Sequence, residues 1–195
     1  DKAIEERANK LFNKFKAEPG TDPSLLLRGV SFPTCIGVNN VGGSFSPLAG
    51  DDKVVLKEGG VVKIDLGAHV HGYVAQVAHT VVVPKMNGDL VENADVTDAR
   101  ADVIQAAYTA ADCAWRLLRP GKTNNDVTAI IEAVAKEYGV NAVAGGMSHE
   151  VKCFSVDAGN SILNRSEPDA KMETCTFAEG EVYVIDIVMS TGTGK

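Results

Sequence analysis

The sequence predicts an α+β protein, on three observations. Residues 61–67 and 72–83 are rich in β-branched and apolar side chains, the composition of neighbouring strands. Between residues 97 and 138 the apolar period lengthens from two to three or four, as helices require. After Asn141 short strand-like runs return, so strands and helices come in blocks. The chain has 195 residues, 45% of them apolar and 23% charged, which is material for a core and excludes a disordered, collagen-like or disulfide-stapled chain. No run approaches the roughly 18–20 apolar residues of a membrane helix, and the N-terminus lacks the basic-then-apolar profile of a signal peptide, so no membrane role is expected.

The elements follow in order. Ala3, Ile4, Ala8, Leu11, Phe12 and Phe15 form a helical stripe over residues 1–16, with no N-cap signal, so the natural protein is expected to begin earlier. Pro19-Gly20 and Asp22-Pro23 end that pattern. Residues 30–38 read as extended, with Pro33 at an edge or bulge, and residues 39–52 as a loop of turn formers. Gly67 and Gly72 bracket the expected turn or bulge region between the next two strands. Thr97 is placed to cap a helix whose face is Val103, Ile104, Ala107, Ala111, Ala114, Leu117 and Leu118, stopped by Arg119-Pro120-Gly121. Thr123 and Asp126 resemble a capping box for a second helix, buried through Val127, Ile130, Ile131, Val134 and Tyr138 and ended by Gly139. Short strands are expected at 147–156 and 181–188. The expected organisation is one incomplete domain over 1–195: helix 1–16, strands and loops 30–84, two helices 97–138 and strands 143–190, with the C-terminal part missing after a strand exit.

Two acids stand where apolar residues belong. Asp65 lies inside the apolar run 61–66 and Asp186 inside the run 182–188, and a buried, ionised carboxylate without a partner costs several kcal/mol. A shared polar site accounts for both, and His149, after Gly145-Gly146-Met147-Ser148, can bring an imidazole to it. The spacing is long-range and forms no compact metal motif. His69 and His71 read as ordinary turn or surface residues, and His79 as a satisfied core histidine. Cys35, Cys113, Cys153 and Cys175 are widely spaced and read as buried free thiols of a reducing compartment. Gly192-Thr193-Gly194-Lys195 lacks the spacing and following helix of a phosphate loop.

Several phrases then carry a family likeness: Phe32-Pro33-Thr34, Asn39-Asn40, Phe45-Ser46-Pro47, Leu56-Lys57-Glu58-Gly59, Lys63-Ile64-Asp65-Leu66-Gly67, Ala78-His79-Thr80-Val81, Gly180-Glu181-Val182-Tyr183 and Ser190-Thr191-Gly192. In that order along the whole chain they resemble the type 2 methionine aminopeptidase branch of the pita-bread superfamily. The resemblance implies a curved antiparallel sheet with helices packed on its outside. Lys57-Glu58-Gly59, residues 101–107, Met147-Ser148-His149 and Val184-Ile185-Asp186 are similar, within that branch, to a non-peptidase lineage implicated in ribosome biogenesis and translation.

In active members two aspartates eleven apart on adjacent strands, a histidine and two glutamates hold two divalent metals. Carried over, the first aspartate is Asp65, but eleven residues on stands Gln76, a neutral amide. The metal histidine falls on His149, and the next glutamate on Asp186, shorter by one methylene, or about 1.5 Å of reach. The histidines that face substrate fall on Ser44 and Asp157. The resemblance therefore implies a degenerate pocket with no catalytic residue, no metal pair and no cofactor. Asp65 and Asp186 are expected to be held by hydrogen bonds from Gln76 and His149. The implied role is a binding protein in ribosome biogenesis, translation and growth regulation. Its implied partners are the large ribosomal subunit, structured RNA and growth-signalling proteins, and its implied location is cytoplasmic and nuclear or nucleolar. The alternative is a mononuclear or altered metallo-aminopeptidase using Asp65, His149 and Asp186. A net charge of −7 opposes RNA binding by this segment, and Lys10, Lys14, Lys16 and Arg28 read as a solvated face among Glu5, Glu6 and Glu18.

Overall fold

The computed structural model describes residues 28–51, 54–87, 90–92, 96–168 and 172–195; the helix expected over 1–16 lies outside them. The first half is an antiparallel meander of β1 (Arg28–Val38), β2 (Val61–Val70) and β3 (Tyr73–Val82), in that spatial order. Its β1–β2 ladder shifts register between Val30 and Phe32 and again between Phe32 and Cys35, around Pro33, which has no N–H to give the ladder. Val70 pairs with Tyr73, so the connection is the two-residue turn His71-Gly72, at φ 52° and 80°, whose twist matches the strands it joins. Of the two glycines only Gly72 is in the turn; Gly67 pairs with Phe32 where the β1–β2 ladder shifts register, at the bulge the sequence also allowed. It lies inside β2 opposite Gln76, and a Cβ there would come within 2.5 Å of the Phe32 ring, so the glycine makes room for an aromatic on the next strand.

Strand parity sorts this sheet's two faces. Val74, Gln76, Thr80 and Val82 are half-buried, whereas Tyr73, Ala75, Val77, His79 and Val81 are exposed. His79 thus stands on the exposed face and is not a core histidine. A short hairpin follows, β4 (Lys85–Asn87) with β5 (Leu90–Glu92).

The second half is built on two helices. Helix α1 (Ala99–Leu117) is capped by Asp98, not Thr97: the Asp98 carboxylate accepts from the Arg100 N–H at 3.0 Å and binds the same residue's guanidinium. Ala106, Ala110 and Ala114 are buried, a small-residue stripe that admits close neighbours. Helix α2 (Asn124–Glu137) carries the capping box, with Asp126 Oδ2 accepting from the Thr123 N–H at 2.9 Å and Thr123 Oγ1 from the Asp126 N–H at 3.2 Å. Beneath the helices lie β6 (Asn141–Ala142), β7 (Met147–Glu150), β8 (Ser161–Leu163), β9 (Tyr183–Val184) and β10 (Met189–Ser190). Strand β7 is central to an antiparallel β8-β7-β9 sheet, and β10 pairs with β6. These strands are shorter than the expected 147–156 and 181–188, in the first case because residues 152–155 turn back through a Lys152–Ser155 bridge. Val127, Ile131, Val134, Ile162 and Phe177 form the core, and the Phe177 ring meets Tyr183 edge-on with centroids 5.2 Å apart.

Candidate functional site

Asp65 sits mid-way along β2, opposite Cys35 on β1 and Ala78 on β3. Gln76 faces Gly67, two residues on, so it lies diagonal to Asp65 on the same sheet face. Lys63 shares that face. Burial pushes its ammonium pKa down, and its Nζ donates to the Asn39 carbonyl at 2.6 Å. Burial, and then the neighbouring Asp65 charge, pushes the Cys35 thiol up.

The second half contributes His149, on β7 opposite Val184, and Asp186, two residues past it. Ser148, almost wholly buried, fixes Asp186 by accepting its N–H at 2.9 Å. Asp65, His149 and Asp186 come within electrostatic reach of one another across the seam between the half-sheets. Burial pushes the Asp65 carboxyl above its ordinary range while His149 opposes the shift. Asp186 is raised by burial first and by the like charge of Asp65 second, again opposed by His149. The hydrogen bonds expected from Gln76 and His149 to these acids are not formed among the described residues, and His149 Nδ1 is buried without a partner. The strands set the spacing here, and the interaction left is through space.

Ser44 lies exposed at φ 55° in the loop after β1, which crosses to the second half where Gly42 approaches Val188. Asp157 is exposed in the loop after β7, its Oδ1 accepting from the Gly159 N–H and its carbonyl from the Ser155 hydroxyl. Neither is bonded to the acid pair. Among the described residues no group of three or more His, Cys, Asp or Glu is disposed to hold a metal ion. The four cysteines are free; Cys153 is exposed, contrary to expectation, and the other three are half-buried. Sequence reasoning missed Ser148, because a serine before a histidine carries no mark of the backbone amide it will hold.

Two half-sheets meeting at an acid from each, with helices on one flank, are the pita-bread arrangement, and the chain belongs to metallopeptidase family M24, whose model matches residues 2–194. Over all 195 residues it is 46% identical to proliferation-associated protein A of Dictyostelium discoideum and 44% identical to ERBB-3 binding protein 1 of Solanum tuberosum. It covers 47% and 46% of those proteins, so it spans about half the length of the curated relatives it matches. A solved structure of a thermophilic Arx1 superposes with a TM-score of 0.73 at 22% identity, over 97% of this chain and 55% of that one, a likeness of fold.

Proposed function

We propose that this chain is part of a catalytically inactive, methionine-aminopeptidase-like protein that acts by binding, in ribosome biogenesis, translation and growth regulation. Its partners in this reading are the large ribosomal subunit, structured RNA and growth-signalling proteins, met in the cytoplasm and the nucleus or nucleolus. The observation that carries it is Gln76 on the face of Asp65, where active relatives in this branch place the second bridging carboxylate. A neutral amide brings no charge to hold two dications about 3.5–4 Å apart. The remaining carboxylates, Asp65 and Asp186, are both pushed toward their neutral forms by burial. This donor set does not fit a metal pair. The similarity over the full chain to relatives named for proliferation and for binding ERBB-3 supports a binding role. The charge of −7 belongs to this segment, about half the relatives' length, and leaves RNA contact to the whole protein.

The test is metal content and methionine release from a short peptide by the full-length protein, beside filter binding to ribosomal RNA across a salt series. No stoichiometric metal, no turnover and salt-sensitive RNA binding are expected. Two tightly held dications with turnover, or no RNA affinity even at low salt, would overturn the reading. In a second reading, a mononuclear peptidase on Asp65, His149 and Asp186, the three side chains lie within electrostatic reach but are not disposed to hold a metal ion; one metal per chain with turnover would establish it.

A further inference from the structure

Strand β2 carries Asp65 near its middle and is tied to the second half beyond each end. Before its start, the Arg100 guanidinium donates to the Gly59 carbonyl at 2.5 Å while also pairing with Asp98 at 2.8 Å. Past its far end the tie is the turn at residues 152–155. There the Phe154 N–H donates to the Gly72 carbonyl at 2.9 Å and the Cys153 thiol to the His71 carbonyl at 3.2 Å. The Phe154 ring lies over Gly72, where an added Cβ would stand 2.6–2.7 Å from three ring atoms, and the covered glycine is buried.

The two ties differ in kind. Arg100 makes a charge-assisted clasp whose side chain is held by a second anchor. Phe154 instead stands at φ 60°, a left-handed conformation that a bulky residue rarely adopts, and the residue remains 69% exposed. That backbone state belongs to the tight turn itself, which Lys152 and Ser155 close with reciprocal N–H···O bonds of 3.0 and 2.9 Å, so losing the contact with Gly72 does not require the turn to unwind. From Phe154, five residues lead back to His149 on β7 and six lead back from His71 to Asp65 on β2.

We propose that residues 152–155 are a releasable latch. With Phe154 seated on Gly72 the seam holding Asp65, His149 and Asp186 is closed. When the ring leaves, the β2–β3 turn parts from the loop after β7, and the seam opens at that end while the Arg100 clasp acts as the hinge. The latch is independent of which partner the protein binds and of whether it holds a metal.

Cys35 reports on the seam, since it is the cross-strand neighbour of Asp65 and half-buried, and Cys175 is an internal control packed against the core of the second half. The experiment is alkylation of the full-length protein, with the rate at each cysteine read by peptide mass mapping. Phe154→Gly removes the ring, keeps the N–H donor and suits the positive φ of the turn, which therefore stays closed; Gly72→Ala drives a methyl group into the ring. In both variants Cys35 should label about tenfold faster, as a tenfold larger open population gives when labelling follows opening, with Cys175 unchanged. A Cys35 rate within about twofold of the parent in Phe154→Gly, or an equal acceleration at Cys175 in both variants, overturns the latch, the first because the ring holds nothing and the second because the whole fold has loosened.

Discussion

The two half-sheets are similar in strand number and opposite in how they are covered. Among the described residues, Val62 is the only buried apolar side chain of β1, β2 and β3, whereas Val127 and Ile131 of α2, with Ile162 and Phe177 packed against them, lie almost dry. On the outer face of the first sheet Val30 is 64% exposed and Val77 56%. Among the described residues burial is therefore concentrated in the second half, and the first is positioned there by its ladder and by ties at the ends of β2. The seam inherits this asymmetry: Asp186 is anchored by buried Ser148, while Asp65 rides on a sheet with little core of its own.

The most direct way to break this contrast is Ile131→Ala, which empties a fully buried site on α2 and should cost about 2–5 kcal/mol in urea denaturation. The matching Val77→Ala should stay within about 0.5 kcal/mol, and equal losses would show that the outer face is packed in the working protein. The seam sharpens the comparison through pH. Because Asp186 has a folded-state pKa above its unfolded value, the native state holds the proton more tightly. Its contribution is fully present below the unfolded value and is lost as pH rises through the folded one. Asp186→Asn should therefore gain about 1–2 kcal/mol at neutral pH and lose that slope, and a variant less stable than the parent at pH 7 would mean that the charge is compensated. A smaller loss than at Ile131 is expected at Thr123→Ala, about 1 kcal/mol, measured as a shift in the thermal midpoint, because it opens one capping box on a helix whose packing is otherwise intact.

Much of this was legible in the sequence for reasons that are local. The period change after residue 97, the Thr123–Asp126 box, and two acids stranded in apolar runs are each visible within a few positions, and Asp65, His149 and Asp186 do gather. What was not legible depends on who sits opposite. Thr97 and Asp98 are both competent caps, and the choice falls to Asp98 because its carboxylate holds both the Arg100 N–H and its guanidinium. Gly67 reads equally as turn or bulge until the Phe32 ring on the adjacent strand is placed against it, and His79 looks internal until strand parity turns it outward. The hydrogen bonds expected at the acids failed for the same reason, since reach across a seam is set by two separate ladders.

Arg100 joins the first turn of α1 to the Gly59 carbonyl just ahead of β2. Its clasp has the right geometry only once that turn is wound and Asp98 has capped it, because a helix's first turn is its costly step. The wound first turn of α1 and the tie ahead of β2 are therefore one unit: unwinding the turn withdraws the clasp and leaves the meander hanging from the second half by its other end, at residues 152–155.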